Sequence, residues 1–218
     1  LTPTQITSLL TIFYSSLYRA SLFPRQISET TSDGRLVHWS PYVTSIDDRV
    51  QYGPISTDSG FWDAWNTIYP LLAITNRPML SVTVQGWINA YKEGGWLPKW
   101  ASPGYRNGMV GTMGDVALAE AIVSDIPNID IDAAYAAIRR DAFEIPPAKN
   151  GGVGRLCLEG YLQKGYIPRG GPITTGGECT EVVSRTLNYL QSDYAIAQAA
   201  AKLGYSDDVT TLRNRYQN

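Results

Sequence analysis

The stretch GGWLPKWASPGYRNGMVGT, residues 94–112, decides how the rest of this chain is organised. It shows neither the period of a helix nor that of a strand. Gly94 and Gly95 allow a preceding helix to end, because glycine adopts positive φ without steric penalty. Pro98 and Pro103 then prevent a new helix from starting. The pattern predicts a long ordered loop between two helices, and such loops are more often functional than decorative.

Two tryptophans give this loop its chemical character. Aromatic faces accompanied by a few polar groups suit a sugar. Trp96 and Trp100 can also close the end of a helical core, which is a common place for tryptophan. Both interpretations of each side chain stay open from the sequence.

Composition limits the kind of protein. The chain has 218 residues, of which 44% are hydrophobic and 17% charged, so we expect a packed core rather than disorder. A net charge of −2 argues against a nucleic-acid surface. No apolar run is long enough to span a bilayer. The opening residues lack the basic region of a secretory signal, so an exported protein would carry its leader upstream or have lost it.

Cysteine and histidine content says little about chemistry. Cys157 and Cys179 flank a Gly-rich segment, and a disulfide between them would fit an oxidising compartment. They can equally be unpaired core residues. His38 is the single histidine, so the sequence offers no Cys/His cluster for a metal.

Apolar periodicity and cap residues predict seven helices. The first starts at the capping sequence Thr2–Gln5 and is expected to bury one apolar face. Pro70 should kink or divide the second. The first helix's expected buried face, which follows the i, i+3, i+4, i+7 pattern, consists of Ile6, Leu9, Leu10, Phe13 and Leu17.

The remaining predicted helices lie around residues 77–91, 116–123, 131–138, 182–203 and 206–216. One turn of helix is expected within Leu156–Leu162, and a short β-hairpin within Arg35–Val43. Long loops between amphipathic helices favour an all-α toroid of helical hairpins with its loops gathered at one end. A closed six-hairpin toroid needs about twelve helices, so seven indicate a partial one.

Five blocks of sequence together resemble glycoside hydrolase family 92. They are SSLYRASLFP, GFWDAWNTIYPLL, YKEGGWLPKWASPGYRNGMVGT, VGRLCLEGYLQKGYIP and EVVSRTLNYLQSDYAIAQAAAKLG, in the family's order and across nearly the whole chain. The resemblance implies a calcium-dependent exo-α-mannosidase that inverts the anomeric centre. It also implies an N-terminal β-sandwich joined to an (α/α)6 barrel. Residues 1–218 would be a single segment of that barrel, with the sandwich and the barrel's remainder outside it.

The resemblance places the catalytic groups outside this chain. The family's general acid and general base lie in blocks downstream of the long helix, and most of its calcium ligands lie there too. We therefore assign no catalytic residue and no metal ligand to residues 1–218. The missing part would come from the remainder of the same polypeptide or from a second chain.

Candidate substrate-binding residues are what remains. Trp62 and Asp63 match the family's Trp-Asp pair, which faces the sugar; Asp63 can accept two hydroxyl hydrogen bonds, or it caps its own helix near Ser59. The full set of candidates is Trp62, Asp63, Trp96, Arg106, Glu120 and Glu181. We expect the side chains of Trp62, Trp96 and Glu181 to lie on the same rim.

Three of these candidates have a plainer interpretation that stays open. Arg106 could reach a sugar hydroxyl or remain a solvated loop arginine. Glu120 stands where the family usually has Asp. Glu181 matches a family Glu but also suits the N-terminus of any helix, where the macrodipole favours a negative charge.

Three positions depart from the family pattern. Asn66 stands where Arg is common, Arg19 where His is usual, and Asn188 where Glu is common. The implied partner is a mannose-containing glycan, and the implied location is secreted or extracytoplasmic. The departures also fit a non-catalytic carbohydrate-binding or structural protein built on a divergent barrel of the same family.

Overall fold

The computed structural model describes residues 1–147, 152–170 and 179–217. This part of the chain is mostly helical, with nine helices and five short strands. The helices are α1 (Pro3–Ala20), α2 (Phe61–Ala64), α3 (Ile68–Thr75), α4 (Arg77–Gly94), α5 (Gly114–Val123), α6 (Ile131–Phe143), α7 (Leu158–Lys164), α8 (Val182–Leu203) and α9 (Ser206–Tyr216). The architecture is all-α, as predicted, and forms part of a helical barrel.

Local sequence explains where the helices begin and end. Thr2 and Gln5 form the predicted capping box at the start of α1. Asn76 caps α4 by accepting a hydrogen bond from the amide of Met79. The same helix ends at Gly95, which adopts φ 83°, the left-handed conformation that glycine tolerates best. The predicted end of the helix before the 94–112 loop is therefore confirmed.

The structure has two more helices than the seven predicted. The segment predicted as one helix divides into α2 and α3, and the break falls at residues 65–67 rather than at Pro70. Pro70 lies in the first turn of α3, where its missing N–H costs no hydrogen bond. Residues 158–164 form a complete short helix, α7, rather than a single turn.

The core lies between α4, α5, α6 and α8. Helix α8 packs against α5 and α6 on one side and against α9 at its C-terminal end. Small side chains such as Ala117, Ala121 and Ala197 are buried along these contacts, which lets the helices approach closely. Larger residues, Trp87 and Ile138 among them, fill the remaining space.

The prediction that α1 buries an apolar face is wrong. None of its residues is buried, and Phe13 and Leu9 are 59% and 52% exposed. The periodicity correctly predicted a helix, but burial needs a neighbouring surface, and the described residues provide none for α1. An 18-residue helix with this much exposed apolar surface is typical of an element that packs against further chain.

The predicted hairpin within residues 35–43 is instead the middle of a three-stranded antiparallel sheet. Strand β3 (Leu36–Trp39) pairs with β2 (Glu29–Thr30) and with β4 (Val50–Tyr52). The flanking strands are too short to show an alternating pattern in sequence. A second, two-stranded sheet joins β1 (Arg25–Gln26) to β5 (Ser56–Thr57).

A buried histidine attaches the three-stranded sheet to helix α4. The Nε2 atom of His38 lies 3.0 Å from Oε1 of Glu93, and its Nδ1 lies 2.9 Å from the carbonyl oxygen of Gly53. The Ser40 hydroxyl donates to the other oxygen of Glu93. Burial alone would lower the pKa of His38, but the hydrogen bonds to Glu93 and Gly53 outweigh it, so the pKa is raised above 6.5.

Cys157 and Cys179 form a disulfide, which settles the alternative left open by the sequence. The bond joins the residue before α7 to the segment that leads into α8. Within the described ranges, no helix combines the length and the apolar character needed to cross a bilayer. The expectation that residues 1–218 form one barrel segment without a β-sandwich stays a prediction.

Candidate functional site

The 94–112 loop is fixed to the start of helix α2. Ser59 and Ala101 exchange backbone hydrogen bonds of 3.0 and 3.3 Å. The Trp100 side chain packs against Gly60 and Gly108 so closely that a Cβ on either glycine would lie within 2.5 Å of a ring atom. Because Gly60 immediately precedes α2, the loop sets the position of the residues that open that helix.

Those residues line an open hollow of about 440 Å³ between the α2 region and helix α8. Trp62, 38% exposed, and Asp63 come from α2, and Met113 comes from the end of the 94–112 loop. The whole lining consists of Trp62, Asp63, Trp65, Asn66, Met113, Leu187, Asn188 and Gln191. The Trp-Asp pair singled out by the sequence therefore lies in a concave site that offers aromatic faces and polar groups.

Asp63 is free of the capping role that was its alternative. Gly60 is the N-cap of α2 and makes no side-chain capping bond. The Ser59 hydroxyl accepts instead from the indole N–H of Trp87, at 3.3 Å. The Asp63 side chain is exposed to the hollow and can accept hydrogen bonds from a ligand.

Two of the positions that depart from the family pattern meet in this hollow. Asn66 follows α2, and Asn188 projects from α8 on the other side. Asn188 donates to the Ser184 carbonyl oxygen at 2.7 Å. Its side chain also packs against Gly111, where an added Cβ would lie 2.8 Å from Asn188 Oδ1. Arg19, the third such position, lies exposed on α1.

Glu120 lines a neighbouring, more apolar hollow of about 290 Å³ between α5 and α8. The two hollows share Trp65 and Gln191, so they form one continuous surface. Tyr194, 49% exposed, is also part of this second lining.

Glu181 lies at the start of α8 in a third, wide hollow that also includes Arg169. It adopts φ 52° and makes no capping bond. Its carboxylate lies 3.0 Å from Nη2 of Arg185, one helical turn along. Leu187 lines both this hollow and the Trp62 hollow, so Glu181 and Trp62 border neighbouring parts of one surface.

The remaining two candidates lie elsewhere. Trp96 is buried, with the Arg140 guanidinium 4.5 Å from its ring centroid, so in this structure it closes the core and does not line a hollow. Arg106 is exposed on the loop, where its amide donates to the Trp100 carbonyl oxygen. Trp96 therefore does not share an open rim with Trp62 and Glu181.

Sequence reasoning did not single out Arg155, which joins the elements around the site. Its guanidinium is fully buried and pairs with Asp193 of α8 at 2.5 Å and with Asp115 of α5 at 3.2 Å. The Thr112 hydroxyl donates to Asp115 at 2.6 Å. The Arg155 group thus connects both helices to the residue that precedes Met113 in the hollow. No spacing or motif in the sequence marks this arginine.

Two further buried groups lie behind the loop. Burial, together with the neighbouring Asp115 carboxylate, raises the pKa of Asp141 well above its ordinary value. Burial lowers the pKa of Lys99 to about 8, and the positive charge of Arg185 adds to that effect. The Lys99 ammonium donates to Asn107 Oδ1 at 3.0 Å. Both groups are enclosed, so we assign them to the support of the loop.

The described residues do not fit a calcium site. In residues 1–147, 152–170 and 179–217, no three His, Cys, Asp or Glu side chains converge as a metal cluster. Calcium binds through six to eight oxygen ligands that usually include several carboxylates. Asp63 is the single carboxylate that the described lining of the Trp62 hollow contains.

Sequence comparison decides the family. The profile of the glycosyl hydrolase family 92 catalytic domain matches residues 2–218. The chain belongs to glycosyl hydrolase family 92. The resemblance of the five sequence blocks is thereby confirmed.

Solved structures of other family 92 members are similar. The family GH92 inverting mannosidase BT2199 from Bacteroides thetaiotaomicron superposes with a TM-score of 0.82, at 35% identity, over 94% of this chain and 26% of that one. The α-mannosidase BT3965 from the same bacterium, solved in complex with mannoimidazole, gives a TM-score of 0.74 at 27% identity, over 94% and 24% of the two chains.

A fungal relative is similar over a shorter stretch. An uncharacterised secreted glycosidase of Arthroderma benhamiae is 35% identical over 122 residues, which are 54% of this chain and 16% of that protein. The chain thus spans about a quarter or less of the length of these relatives.

Proposed function

We propose that this chain is the substrate-binding part of a glycosidase that removes terminal α-linked mannose from glycans. The observation that carries the proposal is the hollow in which Trp62 and Asp63 stand side by side within a family 92 chain. A tryptophan face packs against the C–H surface of a sugar ring, and a carboxylate accepts hydrogen bonds from two hydroxyls. Mannosidase relatives of the same fold support mannose as that sugar.

We propose an inverting reaction, in which a protonated carboxyl donates to the leaving oxygen and a carboxylate activates water on the opposite face. Such groups typically lie ~6.5–9.5 Å apart. Both are expected outside residues 1–218. The role left to Trp62 and Asp63 is to hold and orient the terminal sugar. Calcium is a proposed cofactor with ligands outside this chain, and no step is assigned to it here.

The proposed partners follow from the same reasoning. The rest of the barrel, from the same polypeptide or a second chain, would cover α1 and complete the hollow. Export is proposed because the Cys157–Cys179 disulfide suits an oxidising compartment. The secreted fungal relative also supports export.

The test is mutation of Asp63 in the protein at its natural full length. Asp63→Ala should lower kcat/KM on an α-linked mannobiose by roughly 10- to 100-fold, since hydrogen bonds to charged groups contribute about 1.5–3 kcal/mol. Asp207→Asn, an exposed carboxylate change on α9, serves as the matched control and should leave kcat/KM within about twofold. Equal kcat/KM values for the two variants would contradict the proposal.

A second candidate is a carbohydrate-binding protein without catalysis. The observation in its favour is that Asn66 and Asn188, two departures from the family pattern, line the same hollow. Binding of methyl α-mannopyranoside without turnover of any α-mannoside, in the full-length protein, would support it. Turnover that disappears in Asp63→Ala would exclude it.

A further inference from the structure

The Trp62 hollow is lined almost wholly by uncharged groups. Among the described residues that form its lining, Asp63 is the single ionisable side chain. Three carboxamides, those of Asn66, Asn188 and Gln191, supply the remaining polar atoms. A carboxamide can donate to one hydroxyl and accept from another, so it suits a neutral polyol.

Asn188 presents its carboxamide in a fixed orientation. Its Nδ2 donates to the Ser184 carbonyl oxygen at 2.7 Å, which holds the side chain back along α8. Gly111, at φ 83°, packs directly against it, and an added Cβ would lie 2.8 Å from Oδ1. With Nδ2 already bonded, Asn188 offers the hollow chiefly an acceptor, as Asp63 does from the opposite side.

The charged groups around the hollow do not favour an anion. The adjoining hollow, which shares Trp65 and Gln191, carries a second carboxylate, Glu120. Arg155 lies behind Thr112, but it is fully buried and its charge is met by Asp115 and Asp193. Two carboxylates without a facing cation give the described surface a negative potential.

We infer that this site selects an uncharged terminal sugar and rejects sugars that carry a phosphate or a carboxylate, with Asn66, Asn188 and Gln191 as the specificity-determining residues. An anionic sugar would lose its hydration without meeting a cation, and Asp63 would repel it. A neutral hexose would find acceptors on both sides and a tryptophan face. The inference rests on the proposed function, because it describes what the same pocket recognises.

The experiment measures binding of two probes to the full-length protein by calorimetry. Methyl α-mannopyranoside should bind at least tenfold more tightly than mannose 6-phosphate. Raising the salt concentration should narrow this ratio, because salt screens the repulsion from exposed carboxylates. Equal affinity for the two probes would overturn the inference while leaving the proposed function standing. If neither probe binds, the proposed function itself fails.

Charge-introducing variants test the specificity-determining residues. Gln191→Lys should reduce the preference for the neutral sugar at least threefold. Gln191→Met, which removes the amide without adding charge, is the matched control and should preserve the preference. Asn66→Lys adds the charge from the other side and covers the case in which Gln191→Lys fails to fold. A preference unchanged by both lysine variants would overturn the inference.

Discussion

The Trp100 ring occupies the space that a side chain on Gly60 would need. An ideal Cβ on Gly60 lies 2.5 Å from ring atom Cζ2, closer than real Cβ contacts come. The contact joins the Trp-rich loop to the residue that caps α2, and α2 carries Trp62 and Asp63. The geometry of the candidate site therefore depends on a residue with no side chain.

Gly60→Ala should consequently destabilise the protein and disturb the site. We expect a loss of roughly 1–3 kcal/mol in the free energy of unfolding, the usual effect of overpacking. Gly114→Ala is the matched control, because its added Cβ would meet Phe61 at an ordinary 3.7 Å. Chemical denaturation of both variants measures the effect. Equal stabilities for the two would show that the Trp100 contact relaxes without cost.

His38 should make stability depend on pH. Its pKa is raised in the folded state by Glu93 and Gly53 against the opposing effect of burial, so the folded protein binds this proton more tightly than the unfolded chain. The stabilisation is fully present below pH 6.5 and is lost as pH rises through the folded-state pKa. Its size should be on the order of 1 kcal/mol.

The measurement compares wild type with His38→Gln. The advantage of the wild type in Tm should shrink as the pH is raised above 6.5. Taking the difference between the two proteins removes the contributions of other titrating groups. An advantage that stays constant over this range would mean that His38 does not bind its proton more tightly in the fold.

Lys99 should act in the opposite direction. Its pKa falls to about 8 through burial and the nearby Arg185, so the folded protein binds fewer protons than the unfolded chain between about pH 8 and 10.5. Stability from this group therefore rises with pH across that window. Lys99→Met should remove the slope and gain roughly 1–3 kcal/mol at pH 7. Unfolding of both proteins from pH 7 to 9.5 tests this, and a destabilised Lys99→Met at pH 7 would contradict it.

The disulfide should be complete and stabilising in the exported protein. Thiol labelling under denaturing, non-reducing conditions should find no free thiol. Replacing Cys157 and Cys179 together by serine should cost roughly 2–4 kcal/mol, because the bond closes a long loop. Reductant should lower the Tm of the wild type and leave the double variant unchanged. Two labelled thiols in the exported wild type would refute the prediction.

The 218-residue chain produced alone should not hydrolyse mannosides. The general acid and base act on the same transition state, and both are expected outside this chain. The exposed apolar surface of α1 should also make the isolated chain associate. The assay uses α-linked mannobiose with added calcium. Turnover that is abolished by Glu181→Gln or Glu120→Gln would show that catalytic residues lie within this chain.

The sequence predicted those features that depend on local signals. The capping box of α1 and the glycine at the end of α4 involve residues close together in the chain, and both are confirmed. The burial of α1 was predicted wrongly, because periodicity reports an apolar face without reporting whether a partner is present. Pro70 was given the wrong effect, since proline breaks helices in their interior and not in their first turn.

The site was only partly predictable. Trp62 and Asp63 were found through a family motif, and the structure places them in a concave site. Trp96 belongs to the same kind of loop but is buried against Arg140, a residue 44 positions away whose approach no local pattern indicates. Arg155 likewise acts only through contacts made after folding.

The Arg155 cluster constrains how this protein can evolve. Replacing the arginine alone leaves the carboxylates of Asp115 and Asp193 buried without their cation, and replacing either aspartate leaves surplus positive charge. Each single change is costly, whereas an apolar exchange of all three can be nearly neutral. Lineages can therefore leave this arrangement only through concerted substitutions, so the three positions should be inherited as a unit while the exposed amides of the neighbouring pocket diverge one at a time.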